Sequence, residues 1–386
     1  MESPTLLILG ASARAAAFSA LRAGLRPWCA DLFADADLRA CCPVVAVPSQ
    51  RYPAGLLDAA RQAPPGPWMY TGALENRPAL VDAIARQRPL WGNDGPSLRR
   101  ARSPLELDTL FAAANIPRPD IRTGWAVPAG GKWLVKPRAG AGGSGIHVWT
   151  GRLPAGWKKG AVYFQEFIEG DPCAAVYVGD GRQAQLLGVT RQLVGEPWLH
   201  ARPFHYCGSI GRIALGPAQR QAFDRLGNAL AAGCRLRGLF GVDGVLRDGV
   251  PWPVEVNPRY TASVEILEYT LGVPALALHR RVFDPDAPAL PEPSAPAAAP
   301  CLGKAILFAR APLVFPADGP WDRRPAGRRR PMDPAEVPAF ADIPAAGQPI
   351  KAGRPILTFF ARGDTPASCQ DALRQIARDL DRWLFG

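Results

Sequence analysis

The segment WLVKPRAGAGGSGIHVW, residues 133–149, places a lysine shortly before four closely spaced glycines. A common phosphate-binding loop runs strand, glycines, lysine and helix, and the N-terminus of that helix helps to bind the phosphate. Here Pro137 prevents the strand from continuing as a helix, and a second apolar stretch, IHVW, follows the glycines. The order therefore predicts a glycine hairpin hung from two strands, which can fold over an anion and donate backbone N–H groups to it.

The side chains of this hairpin suit an anion-binding site. Lys136 ends the first strand and would supply positive charge to the inner phosphates of a nucleotide. The loop would cover the reacting end of the ligand and exclude water, and Ser144 would add a hydroxyl group. Considered alone, the same residues also describe an ordinary glycine-rich hairpin with a surface lysine.

A second group of residues, in the segment VEVNPRY, favours the nucleotide hypothesis. Glu255 and Asn257 are two residues apart on a predicted strand, so both side chains point to one face. Asp243 lies on the preceding strand of the same predicted hairpin and can sit opposite that face. Two carboxylates and one amide oxygen are ligands that Mg²⁺ prefers. Arg259 follows the strand, where it can meet a phosphate group.

The N-terminal part of the chain alternates short apolar strands with helices. TLLIL (5–9) precedes a predicted helix that stops at Gly24, and VVAVP, WMYTG and LWGN are further predicted strands. This rhythm predicts a parallel sheet covered by helices. Polar residues beyond its strands, such as Glu75 and Asn76, form either a ligand-binding edge or simple turns. A dinucleotide site is a weaker alternative, because GASARA keeps only the first glycine of GxGxxG, although Asp31 stands about twenty residues past it.

Charge and cysteine content make several functions less plausible. The formal net charge of +11 comes mostly from arginine. One dense basic run, DRRPAGRRR at 322–330, lacks the aromatic residues and fold signatures of nucleic-acid binding, so we expect a solvated loop. The eight cysteines form no CxxC pair, which argues against a zinc site. No apolar run reaches the roughly 20 residues of a membrane helix, and the first residues resemble a strand more than a signal peptide. We expect a cytoplasmic protein that binds neither membrane nor nucleic acid.

The roles of three further features are less defined. The aromatic segment TRQLVGEPWLHARPFHYCGSIG is either a packed insertion or a source of ligands for an acidic substrate, namely Arg191, Arg202, His205 and Tyr206. Glu265 follows the predicted metal strand and is either a catalytic base or a surface acid of a helix. Residues 284–300 are rich in Pro and Ala and predict a linker. A small, mostly β region and an amphipathic helix at 371–385 follow it.

Together these motifs resemble the ATP-grasp superfamily, of the carboxylate–amine ligase or biotin-carboxylase-related type. The matching parts are LVKPRAGAGGSG, the hinge strand QEFIEG, GVDGVL and VEVNPR. The resemblance implies a mixed α/β and α+β chain with the ATP-grasp fold. It implies a Rossmann-like pre-grasp domain at 1–102, a grasp module at 103–285 with its lid at about 122–168, and a linker with a small C-terminal β-rich region and terminal helix at 286–386. The overall pattern is most similar to carboxylase-related members found beside pterin-linked one-carbon genes.

The resemblance also implies a role for each candidate residue. The triphosphate of ATP would lie beneath the loop at 139–145, with Lys136 at the α and β phosphates. Backbone groups of the hinge would meet the adenine edge, and Asp171 would contact the ribose one position earlier than the acid of many members. The implied ATP ligands are Lys136, Gly142, Gly143, Ser144, Gly145, Gln165, Glu166, Phe167, Ile168 and Asp171. The implied ligands of Mg²⁺ or Mn²⁺ are Asp243, Glu255 and Asn257, and the implied catalytic residues are Arg259 and Lys136.

The reaction implied by the resemblance is activation of a carboxylate. ATP would phosphorylate it to an acyl phosphate, and an amine would then displace the phosphate to form a carbon–nitrogen bond. The alternatives are a carboxylase-type enzyme that phosphorylates bicarbonate and a non-catalytic nucleotide-binding protein. The expected partners are a small-molecule carboxylate and an amine, neither of which the sequence identifies, and a homodimer is left open.

Overall fold

The computed structural model describes residues 3–386 except 125, 126, 128–130, 154, 155, 158, 159, 290–299 and 323–332. Most of the predicted linker at 284–300 and of the basic run at 322–330 lies outside the described residues, so both interpretations stay predictions. Within the described part of the chain, no helix is long and apolar enough to cross a membrane.

The helices are α1 (Arg14–Arg22), α2 (Ala36–Cys41), α3 (Gly55–Gln62), α4 (Pro78–Ala85), α5 (Gly95–Ala101), α6 (Pro104–Ala113), α7 (Pro217–Cys234), α8 (Ala262–Leu271), α9 (Ala275–Phe283) and α10 (Pro366–Phe385). The strands are β1 (Thr5–Gly10), β2 (Arg26–Asp31), β3 (Val44–Ala46), β4 (Trp68–Tyr70), β5 (Ile121–Arg122), β6 (Trp133–Pro137), β7 (His147–Val148), β8 (Val162–Glu166), β9 (Asp171–Asp180), β10 (Ala184–Val194), β11 (Tyr206–Arg212), β12 (Arg237–Arg247), β13 (Val250–Asn257), β14 (Cys301–Phe308), β15 (Leu313–Val314), β16 (Phe340–Ala341), β17 (Pro349–Ile350) and β18 (Pro355–Gly363). Short 3₁₀ turns lie at Leu74–Asn76, Pro197–Leu199 and Pro320–Asp322.

The first sheet has four parallel strands in the order β3-β2-β1-β4, as the alternating pattern predicts. Residues 6–9 of its central strand are all buried and alternate between two separate hydrophobic clusters. Such a continuous apolar run is typical of a parallel strand covered on both faces. At the carboxyl edge, a Cβ on Gly10 would lie 2.2 Å from Thr71 Oγ1, so the neighbouring strand ends meet closely there.

The prediction of a strand at residues 90–93 (LWGN) is wrong. Only a single bridge, between Trp68 and Leu90, attaches this segment to the sheet. Pro89 has no N–H group to extend the ladder. Asp94 already caps helix α5, because its side chain accepts the N–H of Ser97 at 3.0 Å. The extended stretch between them is therefore too short to form a strand.

The second sheet has eight antiparallel strands in the order β13-β12-β9-β10-β11-β14-β18-β16. Its first hairpin, β12–β13, turns through Asp248 and Gly249, whose φ angles are 51° and 77°. Positive φ at both positions is typical of the type I′ turn that an Asp-Gly pair favours. Strands β14 and β18 from the C-terminal region complete this sheet, and β15 and β17 form a separate pair.

Helix α10 covers β14 and β18 with its apolar face, through residues such as Leu373 and Leu380. It begins at Pro366, earlier than predicted, because Thr365 caps it by accepting the N–H of Ser368 at 3.1 Å. The C-terminal region is thus packed against the same sheet that carries the β12–β13 hairpin.

The third sheet is small and carries the glycine loop. Its order is β5-β8-β6-β7, with antiparallel pairing, and the loop joins β6 to β7 as the hairpin prediction requires. Trp133, Val135 and Phe164 pack together on one face. Because side chains alternate along a strand, Lys136 and Gln165 belong to the opposite face. That face is turned towards the β12–β13 hairpin.

Candidate functional site

A cleft of about 720 Å³, partly open to solvent, separates the small sheet from the central sheet. The glycine loop and Lys136 form one wall, and residues 253–256 of β13 form the wall opposite. Helices α5 and α6 close a third side with residues that include Arg102 and Phe111. The cleft thus brings Lys136 and Glu255 together, as the nucleotide hypothesis requires.

Lys136 joins the two main walls of this cleft. Its ammonium group donates to Gln165 Oε1 at 3.0 Å and to the backbone oxygen of Val254 at 3.1 Å. Gln165 donates in turn to the same oxygen of Val254 at 3.3 Å. The side chain of Lys136 is buried, and both of its hydrogen-bond partners are neutral. Its positive charge therefore remains available to an anion that enters the cleft.

The three candidate metal ligands lie together on the β12–β13 hairpin. Asp243 and Glu255 are directly opposite each other in the strand register. Asn257 donates its side-chain N–H to Asp243 Oδ2 at 2.9 Å, and Gln192 donates to Asp243 Oδ1 at 2.8 Å. Among the described residues no group of three His, Cys, Asp or Glu could hold a metal. Two carboxylates with one amide oxygen nevertheless fit a hard cation such as Mg²⁺.

The two carboxylates have different protonation behaviour. Burial, followed by the negative charge of Glu255, raises the pKa of Asp243 to about 6. Burial also acts to raise the pKa of Glu255, but the nearby cations, first Arg102 and then Lys136, outweigh it and hold that pKa below its ordinary value. The pair is thus a partly buried concentration of negative charge, which a divalent cation would neutralise.

Arg102 is a site residue that the sequence did not reveal. One guanidinium nitrogen donates to Glu255 Oε1 at 2.7 Å and to the backbone oxygen of Val256 at 3.1 Å. The other donates to the backbone oxygen of Gly140 in the glycine loop at 3.0 Å. Its Nε is buried and has no hydrogen-bond partner in the described part of the chain. In the sequence Arg102 is one arginine of the run RRAR at a helix end, and nothing there distinguishes it from its neighbours.

Residues beyond the first sheet contribute to the same site, and are not simple turn residues. Glu75 accepts a hydrogen bond from Arg259 Nε at 2.9 Å, while another nitrogen of Arg259 donates to Asn257 Oδ1 at 3.2 Å. Asn76 donates its side-chain N–H to the backbone oxygen of Gly140 at 3.0 Å. Glu75 and Asn76 thus contact residues of the candidate site, and Arg259 stands beside the candidate metal ligands as predicted. Ligand binding at this edge stays a prediction.

Residues 105–263 match the model of a family described as the ATP-grasp domain. The chain contains an ATP-grasp domain. The resemblance inferred from the lysine–glycine hairpin and VEVNPR is thus confirmed. A comparison with curated proteins finds no match.

Three solved structures have folds similar to this chain. The L-amino acid ligase of Bacillus licheniformis is 16% identical with a TM-score of 0.66, and 98% of each chain is covered. The biotin carboxylase domain of Hydrogenobacter thermophilus 2-oxoglutarate carboxylase, in complex with MgADP, ADP and bicarbonate, is 13% identical with a TM-score of 0.70, covering 94% of this chain and 87% of that one. Rhizobium etli pyruvate carboxylase is 15% identical with a TM-score of 0.69; the match covers 98% of this chain but only 37% of that one.

These similarities confirm the predicted ATP-grasp fold over nearly the whole chain. At such low identities they show the fold and not the reaction. The domain bounds at 102 and 285 stay predictions, as do the roles of the individual site residues.

In the hinge of the ATP-grasp domain, residues 166–168, some backbone N–H groups already form hydrogen bonds within the protein. The N–H groups of Glu166 and Phe167 donate to backbone oxygens at 2.9 Å and 2.8 Å, so they are not free to bind a base. Within the described residues, the N–H of Ile168 has no such acceptor. None of these three residues lines the cleft, and neither does Asp171, which is exposed at the start of β9. The implied ribose contact of Asp171 remains a prediction.

Asp31 does not support the dinucleotide alternative. Its carboxylate accepts the backbone N–H groups of Ala13, Phe33 and Ala34 at 2.5, 2.6 and 2.7 Å. In the dinucleotide alternative, Asp31 would bind a ribose hydroxyl. In the structure, its carboxylate instead holds the loops after β1 and β2 in place.

The aromatic segment of the ATP-grasp domain does not gather its polar side chains into one acid-binding group. Arg202 is exposed, whereas the ring centroid of His205 lies 6.2 Å from that of Phe308. The hydroxyl of Tyr206 instead points inward and lies 2.9 Å from Ser209 Oγ. His205 and Tyr206 therefore contact different neighbours, which favours the packed-insertion interpretation for these two residues. A substrate role for Arg191 and Arg202 stays a prediction.

Both interpretations of Glu265 are wrong. Its side chain is fully buried, and its carboxylate accepts hydrogen bonds from Arg14 at 2.5 and 3.1 Å and from Lys304 at 2.9 Å. Burial acts to raise the pKa of Glu265, but these two cations outweigh it and hold the pKa at about 2. Glu265 is therefore an ionised link between α8, α1 and β14, and it is neither a base in the cleft nor a surface acid.

Proposed function

We propose that the protein is an ATP-dependent carboxylate–amine ligase that works through an acyl phosphate and requires Mg²⁺. The observation that carries the proposal is the cleft in which Lys136 and Glu255 face each other beneath the glycine loop. A buried cation, a carboxylate pair and a cover of bare backbone are what binding a metal-bound triphosphate requires. The fold similarity to L-amino acid ligase supports this reaction class.

In this proposal the cleft takes ATP with its phosphates at the glycine loop. Lys136 and Arg102 supply positive charge from two walls, and the N–H of Gly143 and the hydroxyl of Ser144, which line the cleft, bind phosphate oxygens. The N–H of Ser144 is used by the loop itself, because it donates to the backbone oxygen of Ala141 at 3.1 Å. Of the hinge N–H groups, that of Ile168 is assigned to the adenine edge; it has no backbone acceptor among the described residues but does not line the cleft. Gln165, placed by its bond to Lys136, accepts from the adenine amino group.

Asp243, Glu255 and Asn257 would hold Mg²⁺ or Mn²⁺. The strand register supports this assignment, because it places Asp243 directly opposite Glu255 with both carboxylates on one face of the hairpin. When bound, the ion would offset negative charge on the phosphates.

The chemistry proceeds in two displacements. A carboxylate oxygen of the first substrate attacks the γ-phosphorus of ATP, so that an oxygen–phosphorus bond forms while the bond to ADP breaks. The amine then attacks the acyl carbon, phosphate leaves, and the proton of the amine passes to water. Phosphorylation is needed because the leaving group of a free carboxylate would be oxide. Arg259, held by Glu75, offsets charge on the transferring phosphoryl group, and the glycine loop keeps water away from the acyl phosphate.

Phosphorylation of bicarbonate is the second candidate, favoured by the similar fold of a biotin carboxylase domain in complex with bicarbonate. It predicts ADP release that depends on bicarbonate and needs no amine. A non-catalytic nucleotide-binding protein would bind ATP without releasing ADP. The link to pterin-dependent one-carbon metabolism and a homodimer both stay predictions.

A screen of carboxylate and amine pairs for ADP release, followed by mass spectrometry of the products, tests the proposal. The expected result is equimolar ADP and a product whose mass equals the two substrates less a water. ADP release with bicarbonate alone would replace the ligase by a carboxylase. ATP binding without ADP release in any mixture would favour the non-catalytic alternative.

A further inference from the structure

The glycine loop rests on a segment that has no assigned role. We call residues 139–145 the flap and residues 195–206, which lead from β10 into the start of β11, the platform. The N–H of Tyr206 in the platform donates to the backbone oxygen of Gly142 in the flap at 3.2 Å. The platform therefore contacts the flap directly.

Gly143 makes the closest contact between flap and platform. A Cβ at this position would lie 1.8 Å from the backbone oxygen of Phe204 and 3.1 Å from the Cα of His205. No side chain of any size fits there while the flap is docked. Gly142, the preceding residue, also has a positive φ, 58° against 78° for Gly143, but a Cβ on it would meet nothing within 4 Å. The two glycines share a conformation, but only at Gly143 would a Cβ collide with the platform.

The platform has an unusual backbone that its surroundings hold in place. His200 and Phe204 have φ angles of 55° and 66°, although neither is glycine. Such angles are unfavourable for residues with a side chain and persist only where neighbouring contacts fix them. One such contact closes the platform, because the N–H of Gly195 donates to the backbone oxygen of His205 at 2.8 Å.

The C-terminal region supplies the other contacts that fix the platform. Leu199 is fully buried in a hydrophobic cluster that includes Leu307 of β14 and Leu380 of α10. The ring of His200 lies 2.9 Å from the carboxylate of Asp381 in α10. The platform is thus bound to the C-terminal strands and helix on one side and to the flap on the other.

We infer that the platform is the docking surface of the flap, and that the C-terminal region holds the platform in the position that closes the flap over the nucleotide. This inference rests on the proposed function, because it takes ATP as the ligand beneath the flap. The platform residues position the flap and do not touch the reacting atoms. Their contribution is exclusion of water from the reacting phosphate, which depends on how completely the flap closes.

Hydrogen exchange at the amide of Tyr206 measures docking directly, since this N–H bonds to Gly142 only when the flap is docked. The experiment adds Mg²⁺ with adenylyl imidodiphosphate, a non-hydrolysable ATP analogue, and follows binding separately by calorimetry. In Gly143→Ala the Tyr206 amide is expected to exchange about tenfold faster than in the wild type, because the methyl group collides with the platform. Gly142→Ala is the matched control, with the same backbone penalty and no collision, and its exchange should stay within about threefold of the wild type.

A second pair of variants tests the support from the C-terminal region. Asp381→Asn removes the charge that holds His200, and it should also speed exchange at Tyr206 in the presence of the analogue. Asp371→Asn, on the same helix but with a largely exposed side chain, should leave exchange unchanged.

The outcomes separate this inference from the proposed function. If the wild type does not bind the analogue, the proposed function is refuted, and the inference that rests on it is refuted as well. If the analogue binds and the Tyr206 amide exchanges as slowly in Gly143→Ala as in the wild type, the docking surface is refuted. The proposed function is not affected by that result. Unchanged exchange in Asp381→Asn would refute the role given to the C-terminal region.

Discussion

In the proposed function, Lys136 is the residue on which binding of a nucleotide depends most directly. Lys136→Ala is expected to lower kcat/KM for ATP between about 10-fold and 100-fold, because a charged hydrogen bond contributes about 1.5–3 kcal/mol. The fold should be retained, since the partners that Lys136 leaves behind, Gln165 and Val254, also bond to each other. ADP release measured against ATP concentration gives the change.

The control for this variant is Lys351→Ala, which removes an exposed lysine outside the cleft. Both variants should show the same circular dichroism spectrum as the wild type. An unchanged kcat/KM in Lys136→Ala would contradict the assignment of this residue to the phosphates.

The proposed function gives Glu255 a role as a metal ligand beside its observed bond to Arg102, and one substitution can separate the two. Glu255→Gln leaves an oxygen for the bond from Arg102 but removes the negative charge that a metal ion would need. The Mg²⁺ concentration that gives half-maximal ADP release should rise about tenfold or more, and turnover should fall. Glu336→Gln, an exposed acid, is the control. Equal Mg²⁺ dependence in both variants would remove Glu255 from the metal site.

At the scale of single elements, the sequence predicted the two hairpins of the site because each is specified locally. Pro137 and the glycines determine the loop between β6 and β7, and the period of two places Glu255 and Asn257 on one face. The contacts that complete the site are not local. Arg102 and Glu255 are 153 residues apart in the chain, and Glu75 and Arg259 are 184 apart. Neither the spacing of residues along a strand nor a turn motif in the sequence predicts pairs that lie so far apart in the chain.

The flap is tethered at its base by one side chain from the first sheet. Asn76 donates to the backbone oxygen of Gly140 at 3.0 Å, and Asn76→Ala removes this neutral hydrogen bond. A bond of this kind contributes about 1 kcal/mol, so the KM for ATP should rise about fivefold while the melting temperature stays unchanged. Steady-state ADP release measures the effect. Gln87→Ala, which removes an exposed amide at the end of α4, is the control, and equal KM values would rule out the tether.

For the whole molecule, a buried group of charges joins parts of the chain that lie far apart in sequence. Glu265 binds Arg14 across 251 residues and Lys304 across 39. Arg14 also donates to Asp342 at 3.2 Å, which brings in the C-terminal region a second time. No motif or spacing in the sequence links these four charges to one another. Only packing of the first sheet, the ATP-grasp domain and the C-terminal strands against one another brings them together.

The pH dependence of stability tests whether Glu265 is ionised in this group. Its folded-state pKa of about 2 lies below the ordinary value of 4.5, so its stabilisation is complete above pH 4.5 and is lost as the pH falls towards 2. Glu265→Gln should lower the free energy of unfolding by about 3 kcal/mol at pH 7, since two buried cations lose a charged partner. At pH 3.5 the difference from the wild type should narrow by about 1 kcal/mol, because one pH unit corresponds to about 1.4 kcal/mol.

Urea unfolding of both proteins at pH 7, 5 and 3.5 gives these differences. Other buried acids with shifted pKa values, such as Asp35, are present in both proteins, so their contribution cancels when the two free energies are subtracted. Asp58→Asn breaks an exposed pair with Arg51 and should change the free energy of unfolding by less than about 1 kcal/mol at every pH. A difference for Glu265→Gln that stays constant from pH 7 to 3.5 would mean that the pKa of this carboxyl is the same in the folded and the unfolded protein, so that Arg14 and Lys304 do not stabilise its charge. Arg14 and Lys304 would then need other anions, and the link between the three parts of the chain would rest on packing alone.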